Sequence, residues 1–229
     1  MQFSCIVVAA GRGRRARSPI NKCLVRAGDV PILYYSLKRF AALKECVQIV
    51  LVASRDDLRQ ERLDRVQLMG EMRVSGIVEG GERRIDSVRN GFALTDPQVP
   101  LVAVHDASRP FVQTRTILAV VREAQRWGAA VAAVPVSDTL KTAGEDMFVG
   151  GTVPRENLFC AQTPQAFRRQ LLERALAGCR TGDVTDEAQL VELMGQKVRL
   201  VESQTTNLKV TTAEDLEMAV RLLPARDVE

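Results

Sequence analysis

Residues 5–22, CIVVAAGRGRRARSPINK, contain the strongest structural signal of the chain. The first six residues are apolar and rich in β-branched side chains, which predicts a buried strand of a parallel sheet. Gly11 and Gly13 follow, and glycine lets a backbone turn sharply and approach a ligand without a Cβ clash. The cations near them are Arg12, Arg14, Arg15, Arg17 and Lys22. A strand that ends in such a turn suits a polyphosphate ligand.

Three kinds of phosphate-binding loop compete for this segment. A P-loop requires Gly-Lys-Ser/Thr at the start of a helix, which the segment lacks. Residues 11–16 match the letters of the dinucleotide fingerprint G-x-G-x-x-G/A, but that fingerprint must open an amphipathic helix. No apolar stripe follows Arg14, and Pro19 breaks a helix. We favour an extended loop that wraps a nucleoside triphosphate and ends at Lys22; a solvated basic loop is the remaining alternative.

Composition narrows the class of protein. The chain has 229 residues and a net charge of +4, which fits one large α/β domain or two small ones. Aromatic residues make up 4% and do not interleave with the cations, so small anions explain the charge better than nucleic acid does. No apolar run approaches the ~20 residues of a membrane-spanning helix. The chain begins with a strand rather than a secretion signal, so no membrane association is expected.

The cysteines and the histidine limit the possible chemistry. The five cysteines are odd in number and show no CxxC spacing, which predicts free thiols in a reducing cytoplasm. His105 is the single histidine, which argues against a zinc cluster or a catalytic histidine pair.

Segments of strand and helix character alternate along the chain. The predicted strands cover residues 5–10, 47–52, 73–78, 100–106, 129–136, 197–202 and 207–210. The predicted helices cover residues 31–43, 55–69, 84–94, 114–127, 167–178, 185–195 and 213–223. The side chains expected to face inward from the second helix are Leu58, Leu63, Val66 and Met69. The alternation predicts an α/β fold with a doubly wound, mostly parallel sheet in a single domain over residues 1–229.

The alternation breaks between Ser137 and Gln165. This segment is polar and glycine-containing, with short β-prone pieces such as residues 147–149. It is long for a structureless loop in a compact domain. We predict a protruding hairpin arm at about residues 137–165, of the kind that serves dimerisation; a mobile active-site lid is the alternative.

Asp106 is the candidate metal ligand. In an open α/β sheet, ligands bind at the carboxyl ends of strands where the strand order reverses. The first strand ends at the Gly11 loop and the fourth ends at Asp106, so the two can be neighbours at that point. A carboxylate among cations and phosphates is a natural ligand of Mg²⁺. The alternative is an aspartate that serves a turn or a helix cap.

Eight pieces of the sequence together resemble one enzyme family. They are AAGRGRR at 9–15, Lys22, DSV at 86–88, HDASRP at 105–110, DTLK at 138–141, TPQ at 163–165, TDEA at 185–188 and NLKVT at 207–211. In this order they are similar to the 2-C-methyl-D-erythritol 4-phosphate cytidylyltransferases of the non-mevalonate isoprenoid pathway. The resemblance implies a nucleotidyltransferase (Rossmann-like) fold, Mg²⁺ or another divalent cation, and a homodimer with interlocking arms.

The resemblance also implies a reaction. A phosphate oxygen of methylerythritol phosphate attacks the α-phosphorus of CTP in line, and pyrophosphate leaves. Fixed cations and Mg²⁺ stabilise the charge that develops on the phosphoryl oxygens. A phosphate monoester is already a nucleophile at neutral pH, so no general base is required.

The resemblance assigns roles to residues by position. Arg15 and Lys22 match transition-state stabilisers. Arg155 and Lys209 match residues that position the attacking phosphate, with Arg155 reaching in from the partner subunit. The positions that match substrate or metal contacts are Asp106, Arg109, Thr139, Thr163 and Thr185. The positions that match nucleotide contacts are Ala9, Ala10, Gly11, Gly13, Gly81, Glu82 and Ser87.

Several of these positions also have an ordinary structural interpretation. Arg155 fits a surface arginine, and Lys209 fits the polar face of a strand. Thr163, Thr185 and Ser87 fit residues with local structural roles.

The sequence departs from the family pattern near Lys22. Asn21 and Cys23 replace a proline and a glutamine, which predicts a looser loop before the lysine. Val8 occupies a position where the family usually has a proline, Ser108 one where it has an alanine, and Thr206 one where it often has an acidic residue. None of these changes removes a cation that the reaction needs.

Other functions remain open at this point. The nearest is a cytidylyltransferase for ribitol 5-phosphate or a related polyol phosphate, which would share the CTP site. A non-catalytic nucleotide-binding regulator is less consistent with the retention of Lys22, Arg15 and Asp106. A dinucleotide-dependent oxidoreductase is disfavoured because no helix is predicted after Gly13.

Overall fold

The computed structural model describes residues 1–11, 21–178 and 184–226. The strands are β1 (Phe3–Val8), β2 (Arg26–Ala27), β3 (Val30–Pro31), β4 (Cys46–Ala53), β5 (Val74–Glu79), β6 (Leu101–Asp106), β7 (Ala129–Pro135), β8 (Leu140–Ala143), β9 (Val149–Val153), β10 (Phe159–Arg168) and β11 (Arg199–Glu202). The helices are α1 (Ile32–Ala41), α2 (Arg55–Arg59), α3 (Arg65–Gly70), α4 (Arg84–Ala93), α5 (Thr114–Trp127), α6 (Arg169–Gly178), α7 (Glu187–Leu193) and α8 (Ala213–Arg226), and a 3₁₀ helix covers Lys22–Leu24.

The central sheet of the described chain has the strand order β11-β7-β10-β6-β1-β4-β5. All neighbouring strands are parallel except β10, which runs antiparallel to both β6 and β7. The chain winds outward from β1 through β4 to β5 and then crosses to β6 on the other side of β1. The predicted doubly wound, mostly parallel α/β fold is confirmed, and its switch point lies between β1 and β6.

Helices cover both faces of this sheet. On one face α1, α3 and α5 pack over β1 side chains such as Cys5 and Val7. On the other face α4, α6 and α7 pack over a second core that includes Ile6. Because successive side chains of β1 point to opposite faces and both faces are buried, the strand reads as an uninterrupted apolar run. Within the described parts of the chain, no helix combines the length and the apolar character needed to cross a bilayer.

The predicted helix over residues 55–69 is wrong, because two short helices take its place. Ser54 accepts a hydrogen bond from the Asp57 N–H and begins α2, and Asp64 accepts one from the Gln67 N–H and begins α3. Each N-cap starts a new helix, and the restart changes which side chains face inward. Val66 is 85% exposed and Met69 is 59% exposed, whereas Leu68 is buried.

The predicted strand at residues 207–210 is also not formed. Among the described residues the segment pairs with no strand. Its backbone is held by hydrogen bonds from the Asn207 N–H to the Gln204 carbonyl and from the Val210 N–H to the Ser108 carbonyl. The second of these bonds brings the segment close to the loop that follows β6.

The excursion after β7 contains the expected hairpin, since β8 and β9 pair antiparallel outside the central sheet. Its C-terminal limit is different from the prediction. From Phe159 onward the chain already belongs to β10, because that strand fills the gap between β6 and β7. β10 then continues to Arg168, so α6 begins two residues later than the predicted helix.

Candidate active site

A cleft of about 600 Å³ opens at the carboxyl ends of β1 and β6. Val8 lies opposite Asp106 in the register of these strands, so the cleft occupies the switch point of the sheet. Its lining includes these residues from the sequence-based set: Ala9, Ala10, Gly11, Lys22, Gly81, Glu82, Ser87, Asp106 and Lys209. The topology therefore brings together the end of β1, the loop after β5 and the segment after Asn207.

The loop after β5 packs tightly against the end of β1. A Cβ added to Gly80 would lie 2.3 Å from the Ala10 Cβ, so only glycine permits this approach. The Ser87 hydroxyl accepts a hydrogen bond from the Gly81 N–H (3.1 Å) and donates one to the Arg83 carbonyl (3.2 Å). Ser87 thus holds the backbone of this loop. One side of the cleft, the small-residue wall, consists of Ala9, Ala10, Gly11 and Gly81.

Asp106 is the centre of a charge cluster in the cleft. Its Oδ2 lies 2.7 Å from the Lys209 Nζ, and its Oδ1 accepts from Arg84 Nη2 at 3.0 Å. Burial alone would raise the pKa of this carboxyl, but Arg84, Lys209 and Arg109 together hold it well below its usual range. The backbone of Asp106 opens a turn, because its carbonyl accepts from the Arg109 N–H at 3.0 Å, while its ionised carboxylate pairs with Arg84 and Lys209.

Arg84 is a residue of this cluster that the sequence pattern does not single out. It is the first residue of α4, and its guanidinium bridges Asp106 and Glu187. The Glu187 side chain is 1% exposed, and burial raises the pKa of its carboxyl although Arg84 opposes the shift. Burial disfavours the charged guanidinium, but the two carboxylates outweigh this and raise the pKa of Arg84. The available signal was a cation in the first turn of a helix, where the macrodipole favours anions.

A buried network behind Asp106 fixes the end of β6. The Asp106 N–H donates to the Thr163 Oγ1 at 3.0 Å, and that hydroxyl lies 3.0 Å from the His105 Nδ1. The other imidazole nitrogen lies 3.2 Å from the Arg109 carbonyl oxygen. Because that carbonyl can only accept, the assignment consistent with the network puts the imidazole proton on Nε2 and the hydroxyl proton toward Nδ1. Thr163 is buried and its hydroxyl is engaged on both sides, so its position suits a structural role better than a substrate contact.

We expect the His105 imidazole to stay neutral to about pH 4, because burial lowers its pKa to about 4. The unfolded chain has a histidine pKa of about 6.5, so it binds more protons than the folded chain between these values. The stability contributed by the neutral imidazole is therefore complete above pH 6.5 and falls by about 2 kcal/mol as the pH drops to 5. A proton NMR titration of the single histidine measures this pKa directly.

The control for this prediction is His105→Asn, which has no titrating group at the position. Its free energy of unfolding in urea should fall less between pH 7 and pH 5 than that of the unchanged chain. An imidazole midpoint near pH 6.5 in the folded protein would contradict the expectation.

The remaining sequence-predicted residues lie outside the lining of the cleft. Arg109 donates through Nη1 to the Asn207 carbonyl at 2.8 Å, and burial lowers its pKa. Thr139 is exposed at the base of the hairpin. Arg155 is also exposed there and donates to the Ser137 carbonyl. Thr185 is exposed just before α7 and is 3.2 Å from Gln189 Oε1.

Two predicted residues, Gly13 and Arg15, lie outside the described residues. The looser loop expected before Lys22 also falls on residues 12–20, outside the described residues, and only its last residue, Asn21, is described. Asn21 is buried and forms hydrogen bonds to Ala9, Asp57 and Cys23.

Comparison with known proteins identifies close relatives of this chain. The family model described as 2-C-methyl-D-erythritol 4-phosphate cytidylyltransferase matches residues 3–224. A protein of that name from Pelotomaculum thermopropionicum is 40% identical over 98% of this chain and 95% of its own length. Another of that name, from Geobacillus kaustophilus, is 38% identical over the full length of both chains.

Solved structures agree with these sequence relationships. The crystal structure of a 4-diphosphocytidyl-2C-methyl-D-erythritol synthase from Anaerococcus prevotii has a TM-score of 0.82 and 30% identity, covering 97% of this chain and 96% of its own. The 2-C-methyl-D-erythritol 4-phosphate cytidylyltransferase of Thermus thermophilus has a TM-score of 0.80 and 32% identity, covering 98% and 100%. The similarity therefore extends over the whole sheet and both helical layers.

Proposed function

Because the chain belongs to the 2-C-methyl-D-erythritol 4-phosphate cytidylyltransferase family, we propose that it transfers CMP from CTP to 2-C-methyl-D-erythritol 4-phosphate. The products are 4-diphosphocytidyl-2-C-methyl-D-erythritol and pyrophosphate, and the reaction serves isoprenoid precursor biosynthesis. The observation that carries this proposal is the cleft at the switch point, where Lys22 and the Asp106–Lys209 pair face the small-residue wall. This arrangement suits a nucleoside triphosphate and a second phosphate.

The chemistry follows from the charges in the cleft. An oxygen of the acceptor phosphate forms a bond to the α-phosphorus of CTP, and the bond to the β-phosphate bridging oxygen breaks. The electron pair leaves with pyrophosphate, so negative charge grows on the α-phosphoryl oxygens and on the leaving group. Lys22 stabilises that charge, together with Arg15. His105 takes no part as a base, because it is buried and both ring nitrogens are engaged.

We further propose that Mg²⁺ accompanies the triphosphate and takes Asp106 as its protein ligand. The carboxylate fits this role because it stays ionised at the edge of the cleft, and Mg²⁺ is commonly held by one carboxylate together with substrate phosphates. Groups of three or more histidine, cysteine, aspartate or glutamate side chains that could hold a metal are absent from the described residues. Phosphate and water oxygens would complete the coordination of an ion held by a single carboxylate. When bound, the ion neutralises part of the charge of the triphosphate.

The acceptor side of the site requires a second subunit in our proposal. Lys209 and Arg155 clamp the acceptor phosphate, and Arg109, Thr139 and Thr185 contact the rest of the molecule. Within one chain Arg155 does not line the cleft, so we propose a homodimer in which the partner's Arg155 reaches it. The hairpin tip supports this proposal, because its apolar side chains are exposed: Met147, Phe148 and Val149. The chain then forms one cytidylyltransferase domain with a dimerisation arm at about residues 137–165.

A cytoplasmic location completes the proposal. Cys5, Cys23, Cys46 and Cys160 are free thiols, as a reducing compartment allows. Burial raises the pKa of Cys23 and of Cys46 to about 12, so both stay protonated. Nucleic acid and membrane have no role in this function.

Acceptor preference tests the proposed function. With CTP saturating, we expect kcat/KM for pyrophosphate release to be at least about 10-fold higher with methylerythritol phosphate than with ribitol 5-phosphate. Both acceptors offer a phosphate to Lys209, so discrimination comes from the polyol. A pocket that fits the branching methyl gains ~1–3 kcal/mol, and buried polar groups left unpaired by the wrong acceptor add more.

The same assay separates the alternatives. Equal or better use of ribitol 5-phosphate would exclude the isoprenoid role and keep the cytidylyltransferase chemistry. Tight CTP binding without pyrophosphate release from either acceptor would indicate a regulator instead.

A further inference from the structure

Asn21 is a buried amide that ties Lys22 to two separate parts of the fold. Its Nδ2 donates to the Ala9 carbonyl at 2.7 Å and to Asp57 Oδ2 at 2.9 Å, and its Oδ1 accepts from the Cys23 N–H at 3.1 Å. The two acceptors must face the NH₂ group and the donor must face the oxygen, so one orientation of the amide satisfies all three partners.

The bond to Cys23 fixes the backbone at Lys22. Asn21 is the N-cap of the 3₁₀ helix Lys22–Leu24, and its carbonyl accepts from the Leu24 N–H at 2.8 Å. Lys22 is the first residue of this turn, and its side chain lines the cleft. The cap therefore determines the point from which the lysine side chain enters the site.

Both anchors of Asn21 are themselves held firmly. Asp57 has a side chain that is 2% exposed, and it accepts from the Ser54 hydroxyl at 2.5 Å and from Arg62 Nη1 at 3.3 Å. Ala9 belongs to the small-residue wall of the cleft, and its N–H donates to the Val52 carbonyl at 2.7 Å. Asn21 thus connects the backbone around Lys22 to the backbone of Ala9, which lies along the nucleotide in the proposed function.

We propose that Asn21 is a positioning residue that holds the Lys22 ammonium in register with nucleotide bound along Ala9 and Gly11. Lysine carries its charge on a flexible four-carbon side chain. The position of its Cα and the direction of its Cα–Cβ bond therefore limit where the ammonium can lie. A small displacement of a charge that acts on the transition state lowers kcat more than it changes substrate binding. This inference rests on the proposed function, in which Lys22 acts on the transition state.

Asn21→Asp tests the inference with almost no change of shape. The carboxylate keeps an acceptor for Cys23 but places an oxygen against the Ala9 carbonyl and the Asp57 carboxylate. We expect kcat to fall roughly 10- to 100-fold, with the KM for CTP changed less than about 3-fold. Asn21→Ala removes the three bonds without adding a charge and should show the same kcat-against-KM split. The matched control is Asn90→Asp, since the exposed Asn90 amide also donates to a backbone carbonyl, that of Glu79; its kcat should be unchanged.

The double variant Asn21→Asp with Lys22→Ala distinguishes an effect through Lys22 from a general disruption of the fold. If Asn21 acts through Lys22, adding Asn21→Asp to Lys22→Ala should lower kcat by less than about 2-fold further, because the group being positioned is gone. Adding Asp57→Asn to Asn21→Asp returns a donor to the pair and should recover part of the lost kcat. An unchanged kcat in both Asn21 variants, or the same loss with and without Lys22, would overturn the inference. Near-normal kcat in Lys22→Ala alone would instead overturn the role of Lys22 in the proposed function.

Discussion

Replacing Lys22 with alanine is expected to lower kcat by about 100-fold or more, with a smaller effect on the KM for CTP. Lys22 lines the cleft beside the small-residue wall. In the proposed function its ammonium stabilises charge that appears only as pyrophosphate leaves. Loss of one such fixed donor in other enzymes costs about 100- to 1000-fold in kcat. Steady-state measurement of pyrophosphate release with saturating methylerythritol phosphate gives kcat and the KM for CTP separately.

Lys44→Ala is the matched control for the loss of a lysine. Lys44 is exposed in the connection between α1 and β4, at the amino ends of the strands, whereas the cleft lies at their carboxyl ends. The two variants change the net charge equally, so a general electrostatic effect on CTP would appear in both. Turnover by Lys22→Ala within a few-fold of the Lys44→Ala value would remove Lys22 from the chemistry.

The fold was largely predictable because the sheet is buried on both faces. Apolar runs such as β1 and β6 have no other stable location than a central sheet, and the alternation with helices determines the parallel order. The prediction of helix boundaries failed where N-cap residues, rather than the periodicity of apolar side chains, determine where a helix begins. Ser54 and Asp64 each begin a helix, so one predicted helix is two and the inward side chains change.

The candidate site was predictable only in part, for a physical reason. Strand ends are positioned by topology, so the adjacency of Asp106 and the end of β1 could be predicted. The partners of Asp106 depend on side chains from distant segments. Arg84 and Glu187 are 103 positions apart and meet only after α7 packs on the sheet, and no local pattern encodes that contact. The same holds for Arg109, which donates to the Asn207 carbonyl, and for Thr163, which accepts from the Asp106 N–H.

Mixing two inactive variants is expected to restore activity if the partner subunit supplies Arg155. The variants are Arg155→Ala and Lys22→Ala, each of which should be nearly inactive as a homodimer. In a heterodimer, the site that retains Lys22 receives Arg155 from the other chain and is intact. Random exchange of subunits makes about half of the dimers mixed, each with one intact site. The expected recovery is therefore up to about a quarter of the activity of the unchanged protein at the same total concentration.

The pair Lys22→Ala and Asp106→Asn provides the negative control for this mixing experiment. Both residues line the cleft of one chain, so every site in a mixed dimer lacks one of them and activity should stay at the level of the separate variants. Exchange of subunits is confirmed by mass, using a tag on one variant. If exchange occurs and the Arg155→Ala mixture stays as inactive as this control, Arg155 acts in its own chain, and the exposed hairpin then serves assembly without completing the site. Recovery in the mixture that contains Arg155→Ala, but not in the mixture that contains Asp106→Asn, would show that each cleft is completed across the dimer. Restoration in the first mixture requires Lys22 and Arg155 of one site to come from different chains.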